Sequence, residues 1–189
     1  MADADQVVIG ADGRVCVAPV GTALPEDIAA SLNVAFVDVG YVSEEGVNFA
    51  DTKEVEGIPA WQSLYDIRKV VSSKETKVEF AMRQWNGENV PFAFGGGQVL
   101  TAGGVYIYQP AVPGEMDYRS LVIEWEDGSK NYRLVVPRGM AVGEVSSQLT
   151  RTSAADLPIS FEAMPDGIPD ASDNDTQPWY LVTDDPSFA

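Results

Sequence analysis

Histidine is absent from the 189 residues, and cysteine occurs once. Without histidine the chain lacks the commonest general base and the commonest metal ligand. Zinc sites and the usual Ser–His and Cys–His nucleophile systems are thereby set aside. A single cysteine permits no intrachain disulfide. Cys16 lies in the apolar run Val15-Cys16-Val17, where a thiol packs as a small hydrophobe. Long apolar runs are missing too: no stretch approaches the ~20 residues of a membrane span. The opening Met1-Ala2-Asp3-Ala4-Asp5 is acidic and lacks the basic-then-apolar order of a secretory signal. These absences predict a soluble protein that stays where it is made, without cofactor, metal, membrane contact or enzymatic activity.

Basic residues are also scarce. The chain holds 12 Lys and Arg against 29 Asp and Glu, a net charge of −17. Specific binding to nucleic acid phosphates draws on Lys and Arg displacing counterions, so it is not expected. The imbalance is uneven. Residues 1–60 carry 11 acids and 2 bases, residues 61–160 carry 11 and 10, and residues 161–189 carry 7 acids and no base.

What the sequence does contain is strand signal. Arg14 to Pro19 and Phe36 to Val42 read as strands, separated by a short helix from Pro25 to Leu32 that starts on proline and acids. Ser43 to Trp61 has only scattered apolar positions and reads as a long extended arm. Leu64 to Val71, a polar turn at Ser72-Ser73-Lys74-Glu75, and Thr76 to Arg83 read as a hairpin. In its second strand Thr76, Val78, Phe80 and Met82 alternate with Lys77, Glu79, Ala81 and Arg83, the mark of a half-buried strand. Asn86 caps a short helix over 87–94 that stops at Gly95-Gly96-Gly97. Further strands are predicted at Val105–Gln109, at Tyr118–Glu126 and Ser129–Val136 around Asp127-Gly128, and at Val142–Leu149 and Leu157–Ala163. Residues 165–177 read as a mobile acidic loop, and Pro178 to Val182 as a short final strand. The fold expected is mainly β: two packed antiparallel sheets in a single domain over 1–189, a sandwich or partly closed barrel with one or two short helices.

Motifs that could carry chemistry are weak. Gly95-Gly96-Gly97 lacks the Lys-Ser/Thr of a phosphate loop and ends a helix instead of opening one. Counting from Asp173, the calcium-loop positions for glycine and glutamate hold Pro178 and Asp184, so Asp170, Asp173 and Asp175 read as solvated acids. Glu44/Glu45 and Glu124/Glu126 are carboxylate pairs of the sort that arise by chance among 29 acids. Trp61, Trp85, Trp125 and Trp179 are spread along the chain and read as core or interface anchors. No catalytic set emerges. An arm that cannot bury itself, together with strand edges that need covering, points to assembly.

Several phrases in order carry a resemblance: Arg14-Val15-Cys16-Val17-Ala18-Pro19-Val20-Gly21-Thr22-Ala23, Val39-Gly40-Tyr41-Val42-Ser43-Glu44-Glu45-Gly46-Val47, Val55 to Trp61, Phe80-Ala81-Met82-Arg83-Gln84-Trp85-Asn86, Phe92 to Gly97, Tyr132 to Gly139, and Ala154 to Phe161. Over residues 8–163, with a similar ending at Pro178–Phe188, the chain resembles the major tail tube proteins of long-tailed, non-contractile (siphovirus-type) bacteriophages, most of all those of actinobacterial phages. The resemblance implies a structural virion protein assembled in the host bacterial cytoplasm, with six subunits closing into a ring and rings stacking into a tube that genomic DNA traverses during ejection. It also implies the tape measure, tail tip and tail terminator proteins as partners. The inter-ring arm becomes 43–61, with Glu44, Glu45, Asp51, Lys53, Glu54 and Trp61 as candidate contacts. Glu79, Glu124 and Glu126 become candidate lumen acids, with Lys77 and Arg83 as candidate partners for ring neighbours. Other readings are a ring-forming tail terminator or head–tail joining protein, and a monomeric β-sandwich binding module with an exposed aromatic platform.

Overall fold

The computed structural model describes residues 6–165 and 177–188, so the acidic loop expected at 165–177 lies almost wholly outside the described residues. Ten strands are described: β1 (Asp12–Pro19), β2 (Val37–Asp38), β3 (Val42–Ala60), β4 (Ser63–Met82), β5 (Gln98–Ala102), β6 (Val105–Gln109), β7 (Arg119–Asp127), β8 (Lys130–Val142), β9 (Leu157–Ala163) and β10 (Tyr180–Thr183). One short helix, α1 (Asn89–Ala93), follows β4, and a 3-10 turn covers Pro186–Phe188. Every strand pairing is antiparallel.

The main sheet runs β2-β1-β7-β8-β9-β4-β3, with β10 also on β8. β5 and β6 form a separate two-stranded sheet. β8 is the joint of the main sheet. Its first half pairs with β7 and β10, and Gly139–Val142 pairs with β9. The two halves joined there face each other across one core. Val15, Val17, Leu121, Ile123, Leu134 and Val136 from β1, β7 and β8 share a cluster with Val78, Phe80, Met82, Leu157, Ile159 and Phe161 from β4 and β9. α1 closes one end of this core through Phe92, whose ring lies 5.9 Å from that of Phe161. The expected sandwich is therefore present, built by folding one sheet at β8, and the barrel is not closed.

Alternation explains which residues enter the core. Val78, Phe80 and Met82 lie opposite Phe161, Ile159 and Leu157 in register, each on the same face, as a period of two requires. The hairpin predicted around Asp127-Gly128 is present, with its turn at Gly128-Ser129.

Several expectations are corrected. Pro25–Leu32 is not helical. The carbonyls of Asp27 and Ala30, which a helix would spend on its own amides, accept hydrogen bonds from the Arg133 guanidinium. Val142–Leu149 yields no separate strand: Val142 ends β8, and Gly143 turns the chain at φ +88°. β5 had no clear signal in the sequence. Ser72–Glu75 is not a turn but the middle of the 20-residue β4. The extended arm read at Ser43–Trp61 is a regular strand: almost all of it belongs to the 19-residue β3, which pairs with β4 nearly to its end.

Candidate assembly surfaces

The β3–β4 hairpin outruns the sheet that holds it. β9 accompanies β4 only as far as Thr76 opposite Ala163. Beyond that point residues 52–75 continue as a two-stranded ribbon. At ~3.3 Å per residue, positions 52–60 project about 30 Å from the body. At the base, Thr76 Oγ1 donates to Asp51 Oδ1 at 2.7 Å, and Lys74 Nζ lies 3.5 Å from Asp51 Oδ2. The hydroxyl, then the ammonium, hold the Asp51 carboxyl below its ordinary pKa. Farther out, Ser73 Oγ donates to Glu54 Oε2 at 2.8 Å.

The ribbon carries large apolar side chains, among charged ones, without covering them. Val55 pairs with Val71, and Glu56 with Val70, one step along on the opposite face, followed by Ile58 with Arg68. Exposed Val55 and Val71 therefore occupy one face, and exposed Ile58 and Val70 the other. At the tip Trp61 is 99% exposed and Leu64, Tyr65 and Ile67 are open to solvent. A two-stranded ribbon alone in water is marginal. Burying a large apolar side chain contributes roughly 1.5–3 kcal/mol, against about 0.2–1 kcal/mol for an exposed ion pair. Any surface that covers the ribbon thus gains more from these side chains than from its charges.

A second surface is the outer face of β3, β4, β9 and the end of β8. In register, Asn48, Glu79, Ser160 and Val142 form one row, and Ala50, Lys77, Glu162 and Met140 the next. Asn48 Nδ2 donates to Glu79 Oε2 at 3.0 Å, and Lys77 Nζ lies 2.7 Å from Glu75 Oε1. The hydrogen bond to Glu75 raises the Lys77 pKa, so this one cation stays charged among Glu75, Glu79 and Glu162.

The outer face of the other half is already occupied. Cys16, Ser120, Val122 and Val135 are buried there, and burial pushes the Cys16 thiol up to about 11. Tyr180 Oη donates to the Pro25 carbonyl at 3.0 Å, and Arg133 holds Asp27 and Ala30, so the segment around residues 25–30 lies across this face. Glu124 sits in register between Arg14 and Arg133. It accepts from Arg14 Nε and, at 2.7 Å, from Arg133 Nε, and its side chain is only 16% exposed. Its charge is thus spent inside the fold. Glu126 is exposed near the end of β7, opposite Asp12 and Asn131. Arg83 lies just past β4 with Nε 3.4 Å from Asp156 Oδ1.

The sequence-predicted residues therefore divide. Lys77 and Glu79 share the open face with Glu162, which sequence reasoning missed. Glu124 and Glu126 belong to the other half of the sheet. Asp51, Lys53, Glu54 and Trp61 lie on the ribbon or at its base, whereas Glu44 and Glu45 occupy the register shift between Val42 and Val47, beside the body. Leu64, Tyr65 and Ile67 were also missed as surface residues. The available signal was that Leu64-Tyr65-Asp66-Ile67 does not alternate, as a half-buried strand would.

A sequence profile of the phage tail tube protein family matches residues 1–189. The chain belongs to that family. No curated protein matches it. Membership makes the tail tube chain a structural component of the virion tail that self-associates into a tube. Among the described residues no helix is long and apolar enough to cross a membrane.

Proposed function

We propose that six copies of the chain close into a ring, that rings stack through the β3–β4 ribbon, and that the tube so formed conducts genomic DNA during ejection. The observation that carries this reading is the ribbon: exposed apolar side chains on both faces, an open tip, and a length its own subunit does not cover. A surface of that kind is a liability in a monomer and an asset in a head-to-tail filament. The free edge of β3 and the short free edge of β8 beyond Gly139 flank the open face, so neighbouring copies can extend that face into a continuous wall.

In this reading the open face lines the lumen, with Glu79 and Glu162 as its acids and Lys77 as its tethered cation. Six chains of −17 give a formal −102 per ring, and duplex DNA carries one negative charge per ~1.7 Å of axis. Only charges within about 8 Å of the passing duplex act at physiological salt. An acidic wall repels the genome and lets it slide. Glu124, neutralised by two arginines, contributes nothing to that field. The tape measure protein would occupy the lumen during assembly, and the tail tip and tail terminator would cap the ends.

Negative-stain electron microscopy of the purified protein, over a range of concentration and salt, tests the reading. Hollow tubes of stacked six-fold rings are expected. Rings that never stack would move the assignment to a terminator or head–tail joining protein. A chain that stays monomeric even when seeded with tail-tip complexes would overturn it.

A further inference from the structure

A groove of about 1060 Å³ opens between the start of β1, the β2–β3 connection and the base of β3. Val47, Phe49, Ile123 and Trp179 give it apolar walls, and Phe49 and Trp179 meet edge-on at 4.8 Å. Asp12, Asp38 and Glu44 line it as well, and Arg14, the one base among its lining residues, is tied to Glu124. The groove is therefore apolar in its walls and acidic around them.

The ribbon has the complementary character. Residues 52–75 hold four acids and four bases, so the remaining 25 acids and 8 bases carry the whole −17. Around the tip, residues 61–71 hold Asp66 against Arg68 and Lys69, which makes the apolar tip slightly basic. We propose that the tip, through Trp61, Leu64 and Tyr65, seats in this groove on a second copy of the chain, with Arg68 and Lys69 meeting its acids. The proposal rests on the stacking reading above and names the acceptor.

A chain cannot fill its own groove. Phe49, in the groove, lies within β3 and Trp61, at the tip, just past its end, about 40 Å apart along the strand at ~3.3 Å per residue. Tip and groove are different surfaces, so the contact can run head-to-tail and propagate, as the stacking reading requires. It also bounds the advance per subunit along the ribbon at about 40 Å.

Cysteine-directed cross-linking tests this on the full chain, because buried Cys16 does not compete with introduced thiols. Leu64→Cys protein is mixed with Ser43→Cys protein under assembling conditions and treated with a short bismaleimide, while micrographs record whether tubes form. Covalent Leu64→Cys/Ser43→Cys dimers are expected, at least tenfold above those formed with Val34→Cys, an exposed position away from the groove. Exchanging charge by Arg68→Glu with Lys69→Glu should raise the concentration needed for assembly about tenfold, and Asp38→Lys with Glu44→Lys in the partner should restore it. Tubes without the specific cross-link would overturn the groove as acceptor and leave stacking intact. Absence of both tubes and cross-link would overturn the stacking reading as well.

Discussion

The body and the ribbon obey opposite rules although β4 belongs to both. Within the body, Val78, Phe80 and Met82 alternate with polar residues and are buried. Within the ribbon the same strand carries Leu64, Tyr65, Ile67, Val70 and Val71, all exposed. The body holds the acidic excess, and the ribbon is neutral. Burial in a monomer demands one apolar face. Insertion between neighbours rewards two, and a neutral arm approaches an acidic neighbour without repulsion. In the assembly proposed above, the difference marks where folding ends and assembly begins.

Body and ribbon differ in this way only if the core is the source of monomer stability. Phe161 is fully buried, touches Phe92, and crowds Gly139 so closely that a Cβ there would lie 2.4 Å from its ring. Phe161→Ala should lower the unfolding free energy of the free subunit by about 3–5 kcal/mol, read by urea denaturation. Gly139→Ala should destabilise it by the opposite route, overpacking. On the ribbon, the double variant Leu64→Asp with Ile67→Asp should leave the monomer's unfolding curve within about 0.5 kcal/mol of the parent. Its assembly, followed by light scattering, should weaken at least a hundredfold, since two apolar anchors are lost from the contact. A monomer destabilised as strongly as by Phe161→Ala would mean that the ribbon packs on its own body.

Much of this division was legible in the sequence. The body's strands were readable from alternation, most clearly in Thr76–Met82 and Leu157–Ala163. The ribbon was harder, because a strand apolar on both faces has no period of two. The polar run Ser72-Ser73-Lys74-Glu75 therefore looked like a turn, and the true turn at Trp61-Gln62 held no Gly or Asn to announce it. The helix expected at Pro25–Leu32 had a proper start, but a guanidinium more than a hundred residues away claims its carbonyls. Likewise Glu124 looked solvent-facing by alternation. Alternation says which face a residue takes, and only tertiary structure says that the segment around 25–30 covers that face.

A smaller effect separates the body's C-terminal lock from the ribbon, which has none. Tyr132 Oη donates to Asp185 Oδ2 at 2.6 Å, Ser187 N to Oδ1 at 2.9 Å, and Lys130 Nζ lies 3.2 Å away. Hydrogen bonds from Ser187, then Tyr132, hold the Asp185 carboxyl far below its ordinary value, and hydrogen bonds from Asn131 lower that of Asp184. The bond to Asp185 pushes Tyr132 up to about 12. A carboxyl depressed in the fold contributes stability above its unfolded pKa of about 3.9, and that contribution fades as pH falls towards the folded value. The phenol contributes fully below about 10 and loses its share as pH rises through 12. Urea midpoints of the parent should therefore fall between pH 5 and 3. Asp185→Asn should start lower at pH 7 and fall less. Parallel profiles would show that the lock does not set the acid limb.

The least effect is expected where the ribbon joins the body. Lys77 is bonded to Glu75 across an open surface, and exposed pairs of this kind contribute little to stability because both ions remain solvated and screened. Lys77→Gln should leave the unfolding midpoint of the free subunit unchanged within error. Its consequence belongs to the assembled state. Losing the face's tethered cation leaves Glu75, Glu79 and Glu162 uncompensated in every copy. If this face lines the channel, six such copies bring acids close together around each ring, and low salt should then hinder assembly of the variant more than of the parent. Raising the salt should bring the two together. An equal salt dependence would place the face on the outside of the tube, where copies hold these acids far apart.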